Sequence, residues 1–114
     1  MQILTDEEIG LIHYHVCEGI GDPHRLRLLY LVAEQPRNVT ELTEALDIAQ
    51  PTVSHHLRIL RERGLVTTER DGTSIYYALS DPRILDAIEL LRDMVAELLN
   101  ERANLLTNGV KREA

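Results

Sequence analysis

Cysteine is nearly absent. Cys17 stands alone among 114 residues, which rules out a disulfide within the chain and the stapled frameworks of small secreted domains. No apolar stretch approaches the roughly twenty residues that a membrane-crossing helix needs. The opening run, Met1-Gln2-Ile3-Leu4-Thr5-Asp6-Glu7-Glu8, lacks the basic start of a secretory signal. These absences lead us to expect a cytoplasmic protein without a membrane attachment. The parts of an enzyme are also missing: there is no glycine-rich phosphate loop, no nucleophile with a matched base and orienter, and the surplus acids sit at spacings that suit solvation. No catalytic function is expected. The length allows a single domain, residues 1–107, with one modest core, followed by a disordered tail over residues 108–114.

Positive charge is scarce as well, with 12 Lys and Arg against 19 Asp and Glu for a net charge of −7. Such a balance argues against a polyanionic partner until its distribution is read. Residues 1–20 carry four acids and no Lys or Arg, whereas residues 50–70 carry Arg58, Arg61, Arg63 and Arg70 against Glu62 and Glu69. That positive segment contains the most informative run of the chain, Gln50 to Gly64. Pro51 suits a first helical turn and Gly64 the left-handed position past a helix end. Val53, Leu57 and Leu60, joined by His56, share an inward face at helical spacing. Gln50, Thr52, Ser54, His55 and Arg58 then point outward or lie at the amino end, and all can donate to phosphates or base edges. We expect His55 to face DNA and His56 to pack inward with a hydrogen bond. Adjacent histidines on a helix diverge by about 100°, which is poor geometry for chelation.

Flanking segments place this helix in a larger motif. Asn38-Val39-Thr40-Glu41 resembles a capping box, with Asn38 or Thr40 as the acceptor, and opens a short helix carrying Leu42, Ala45 and Leu46. Leu46-Asp47-Ile48-Ala49 follows as a tight turn, in which Asp47 tolerates the left-handed conformation. Two helices so joined form a helix-turn-helix, whose second member reads the major groove. Downstream, Leu65 to Arg70 and Thr73 to Leu79 are β-branched and aromatic runs around Asp71-Gly72, a two-residue hairpin signal. This hairpin is a wing, with Arg70 as its expected reader of the minor groove or backbone.

At the ends lie two further helical patterns. Thr5 caps a helix running to about Glu18, and Asp22-Pro23 starts the next, to about Ala33. Ser80-Asp81-Pro82 opens a long helix reaching about Leu106, striped by Ile84, Leu85, Ile88, Leu91, Val95, Leu98 and Leu99. So small a domain has too little core to bury that stripe together with Ile9, Ile12 and Val16. A symmetric homodimer pairing first and last helices would cover both and set two reading helices about one DNA turn apart. The expected fold class is therefore mainly α with a small β-hairpin: a winged helix-turn-helix, homodimeric through its first and last helices.

The succession Gly21-Asp22-Pro23-His24-Arg25-Leu26-Arg27-Leu28-Leu29, Val39-Thr40-Glu41-Leu42, Pro51 to Leu60, Gly64-Leu65-Val66 and Arg70-Asp71-Gly72 with Tyr76-Tyr77 resembles the ArsR/SmtB family of winged-helix repressors. The resemblance covers roughly residues 8–100. It implies a homodimer on a palindromic operator of double-stranded DNA, released or altered by an inducer. It also implies groove contacts at Gln50, Thr52, Ser54 and His55, with Thr40 near a phosphate; Arg58, Arg61 and Arg70 complete the expected DNA-contacting set.

The inducer is another matter. Family members that bind metal through a Cys-x-Cys pair have thiolates where this chain has Asn38 and Thr40. Others bridge the long helices with Asp and His, at positions matching Asp81, Arg83, Met94 and Glu97, and a cationic Arg83 cannot replace an imidazole ligand. One constellation is left, His13, His15 and Cys17 with His24 nearby, which suits nickel, zinc or copper if another segment or subunit helps. Its bland counterpart is a buried small thiol among surface histidines. Oxidation of Cys17, an intersubunit disulfide and a small-molecule signal are further readings. A winged helix used only for protein contacts is the rival from another class.

Overall fold

The structure is a computed structural model describing the backbone of residues 4–113 and the side chains of residues 4–107. Contacts within the chain divide it into two units, residues 1–82 and residues 83–114.

Three helices of the first unit start where a side chain satisfies free backbone N–H groups. Thr5 caps α1 (Asp6–Ile12) in a full capping box with Glu8. The chain then takes a π-helical turn, His13–Cys17, before a last helical turn, α2 (Glu18–Ile20). A continuous α-helix to about Glu18 was expected; instead the Glu18 N–H reaches back five residues to the His13 carbonyl. Asp22 caps α3 (Pro23–Glu34), accepting from the His24 and Arg25 N–H groups at 2.8 and 3.3 Å. Asn38, rather than Thr40, caps α4 (Val39–Leu46), again with a reciprocal Glu41. Asp47 ends α4 in the left-handed region at φ 54°, the conformation its short polar side chain tolerates. Three residues later α5 (Gln50–Glu62) begins, with Pro51 in its first turn.

Helix α5 ends in a full Schellman motif. The Leu65 N–H bonds the Leu60 carbonyl at 2.9 Å and the Gly64 N–H the Arg61 carbonyl at 3.0 Å, with Gly64 at φ 80°. Strands β2 (Val66–Asp71) and β3 (Ser74–Leu79) follow as an antiparallel hairpin. Asp71 pairs with Ser74, so the loop is Gly72-Thr73, one residue later than Asp71-Gly72. The reason is local: only the first loop position needs φ above zero, and Gly72 supplies it at 65°. A third strand, β1 (Arg37–Asn38), unforeseen from its two residues, pairs with β3 at Tyr77 and Tyr76, giving the order β1-β3-β2. Ser80 closes the base of the wing, its hydroxyl donating to the Gly64 carbonyl at 2.7 Å.

The core gathers Leu28 and Leu29 of α3, Leu42 of α4 and Val53, Leu57 and Leu60 of α5, all fully buried. Each contributes about 1.5–3 kcal/mol relative to an exposed position. This packing holds α5 with its other face outward.

The second unit is one helix, α6 (Arg83–Glu113). Along it Leu91, Met94, Val95, Leu98 and Leu99 are each about half exposed. The expected tail, residues 108–114, falls where side chains lie outside the described residues, while the backbone continues the helix to Glu113.

Candidate nucleic-acid interface

The inward side of α5 is apolar except for His56, which is 8% exposed. Its Nδ1 accepts a hydrogen bond from Arg25 Nη1 at 3.0 Å. Because a guanidinium only donates, Nδ1 is unprotonated and Nε2 carries the hydrogen, 3.8 Å from Asp22 Oδ1. Burial lowers the His56 pKa below the ordinary 6.5; Asp22 opposes this, and Arg25, His24 and His55 add to it. Desolvation alone would raise the Asp22 carboxyl, but the N–H groups of His24 and Arg25, with the charge of His56 once it is protonated at low pH and that of Arg25, hold it below 3.8.

The outward side presents Gln50, Ser54, His55, Arg58 and Arg61, all exposed, with Thr52 half-buried. Pro51, Ser54, His55 and Arg58 line one shallow recess. Arg58 donates to His55 Nδ1 at 3.3 Å, which leaves the ring hydrogen on Nε2, and the Arg58 Nε lies 3.9 Å from Glu62. The amino end of α5 has no side-chain cap at Ala49; the Thr52 and Val53 N–H groups bond the Ala49 carbonyl at 3.0 and 3.2 Å, and Pro51 has no N–H. Thr40 lies exposed in the first turn of α4, and Arg70 on β2 opposite Ile75, beside a recess lined by Pro36, Glu69, Asp71 and Tyr76. The structure thus joins Ser54, His55 and Arg58 in one patch, with Thr40 and Arg70 on neighbouring elements.

The candidate metal ligands have separate partners. His13 pairs with Glu18 at 3.4 Å, His15 bonds the Arg63 carbonyl at 2.7 Å, Cys17 is exposed, and the His24 ring lies 5.4 Å from that of His56. Among the described residues, no three His, Cys, Asp or Glu side chains are arranged to hold a metal ion. Sequence reasoning missed Arg25 and Arg63. The acceptors of Arg25 include two backbone carbonyls, which leave no trace in residue types.

Residues 22–68 match the model of a family described as bacterial regulatory protein, arsR family. An uncharacterized HTH-type transcriptional regulator of Methanocaldococcus jannaschii is 36% identical over 80 residues, 69% of this chain and 90% of that protein. The chain belongs to the arsR family. A probable mercury resistance operon repressor of Streptomyces lividans is 38% identical over 79 residues, 69% of this chain and 63% of that protein. The match therefore spans less than two thirds of that relative's length. Among solved structures, a homodimeric winged helix-turn-helix DNA-binding domain from Mycobacterium bovis, titled a possible ArsR-family transcriptional regulator, superposes with a TM-score of 0.70 at 26% identity, covering 85% of this chain and 92% of that one. The arsR family consists of transcriptional regulators rather than enzymes, and its winged helix is the fold described above. Among the described residues, no helix is long and apolar enough to cross a membrane.

Proposed function

We propose that this arsR-family chain is a homodimeric repressor acting in the cytoplasm, which inserts α5 into the major groove of a palindromic operator and is released by an inducer. The observation that carries this reading is the outer face of α5. Gln50, Ser54, His55, Arg58 and Arg61 are exposed there with Glu62 as the one acid, in a chain of net charge −7. A surface meant for ordinary solvation, or for a basic protein partner, has no reason to exclude carboxylates so selectively. Thr40 and Arg70 supply backbone contacts on either side. Apolar side chains on α1 and α6, among them Ile9, Ile12, Leu91, Val95 and Leu98, are about half exposed, and the second subunit covers them.

Fluorescence anisotropy with a duplex from the chain's own promoter tests the reading. Affinity should fall steeply with salt. Arg58→Ala should weaken binding to every sequence and flatten the salt slope by about one. Ser54→Ala or His55→Ala should relax base preference at roughly 1–3 kcal/mol per lost base contact. If Arg58→Ala and Ser54→Ala both bind as the unaltered chain does, α5 is not the reading element. For the inducer, Ni(II), Zn(II) and Cu(I) are titrated into the complex; a coupling of about 1–3 kcal/mol between ion and DNA marks a metal sensor.

A further inference from the structure

Besides its apolar packing in the core, helix α5 has two polar tethers from outside the helix-turn-helix, and both lead to residues 13–20. At its C-terminal end the Arg63 carbonyl accepts from His15 Nδ1 at 2.7 Å; since a carbonyl only accepts, Nδ1 carries the proton. The Arg63 side chain crosses the same junction in the other direction. Its guanidinium lies 3.9 Å over the Tyr14 ring and 3.0 Å from the Glu18 carboxylate. Midway along α5, Arg25 joins His56 to the end of the first helical segment: Nη1 donates to His56, Nε to the Gly19 carbonyl at 2.7 Å and Nη2 to the Glu18 carbonyl at 3.1 Å.

The π turn, His13–Cys17, follows α1; it holds Tyr14 and His15 of the first tether and directly precedes Glu18 and Gly19 of the second. A π turn carries one residue more than an α turn, so reverting it to α-helix rotates everything on its amino side by about 100°. The turn therefore fixes which face α1 presents relative to the tethers. We propose that residues 13–20 couple α1 to the DNA-reading helix, with His15 and Arg25 as the positioning residues that set the attitude of α5. A change at α1, including one made by a second subunit, then reaches Ser54 and His55 without any ligand touching them. The coupling rests on the DNA-reading role proposed above.

The test uses the full chain, a duplex from its own promoter, and backbone amide NMR of Ser54 to Arg58. His15→Asn keeps a donor at the Nδ1 position, whereas His15→Phe keeps the bulk and loses the donor. Expected are an affinity loss of about fivefold for His15→Phe and His15→Ala, the size of one net hydrogen bond, and a loss under about twofold for His15→Asn. The Ser54 to Arg58 amides should shift in His15→Phe and in Arg25→Lys, whose single ammonium cannot span three acceptors, and return in His15→Asn. A His15→Phe variant that binds like the unaltered chain, a His15→Asn variant as weak as His15→Ala, or unmoved amides would overturn the coupling. Should the unaltered chain leave the duplex unbound, the DNA reading falls by itself, and the amide shifts alone decide the coupling: movement upholds it and stillness overturns it.

Discussion

Protonation of His56 has a direction set by its neighbours. Asp22, His24 and Arg25 face the ring from the start of α3, and His55 from α5 itself. A proton on Nδ1 would break the bond from Arg25 and place two cations 3.0 Å apart. The folded pKa lies below the ordinary 6.5, so between those values the unfolded chain binds more protons than the folded one, and stability rises with pH. The stabilisation from neutral His56 is thus complete above about pH 6.5 and is lost as pH falls toward the lowered value. Asp22 acts in a separate, lower window, because its pKa lies below 3.8 and its contribution disappears only as pH drops beneath that. Urea midpoints measured between pH 7.5 and 5 should fall on acidification in the native sequence and fall less in His56→Asn, which keeps an acceptor toward Arg25 but cannot titrate. Equal acid sensitivity in both would remove His56 from the account.

Among the elements, those that were legible in the sequence carry their signals locally. Thr5 with Glu8, Asp22 with Pro23, and Asn38 with Glu41 each announce a helix start within four residues, and each cap is present. Asp47 in the left-handed region and Gly64 past the end of α5 follow from backbone preference alone. The apolar stripe of α5 placed its outward face correctly, because a single period decides both faces. What escaped is set by distant partners. His15, inside the π turn, bonds the Arg63 carbonyl 48 residues away, and β1 exists only because Tyr76 and Tyr77 are there to pair with it. Since the Asn38 cap is both local and half-buried, Asn38→Ala should cost about 1 kcal/mol in chemical denaturation. It should also loosen Thr40, the residue expected at a phosphate, two positions further on. Stability unchanged within a few tenths of a kcal/mol would show that water replaces the cap.

For the whole molecule, net charge and exposed apolar surface have to be reconciled. A chain at −7 offers DNA little attraction beyond local clusters such as Arg58 and Arg61 of α5, so nonspecific binding should be weak and one copy alone should hold DNA poorly. On the palindromic operator proposed above, two linked copies would gain by effective concentration what each lacks in charge, because the second half-site would be engaged intramolecularly. The proposed link is the stripe of α6, where Leu91, Val95 and Leu98 are half exposed and spaced to share one helical face. Replacing Leu98 with Lys puts a charge into that contact while leaving the core of residues 1–82 intact. Sedimentation equilibrium should show Leu98→Lys displaced toward monomer. Operator affinity should drop by at least about 100-fold, the lower range of what linking two binding units provides, while binding to a single half-site stays as before. A Leu98→Lys chain that remains dimeric and binds the full operator normally would mean the subunits meet through another surface, leaving the half-exposed residues of α6 without the role assigned to them.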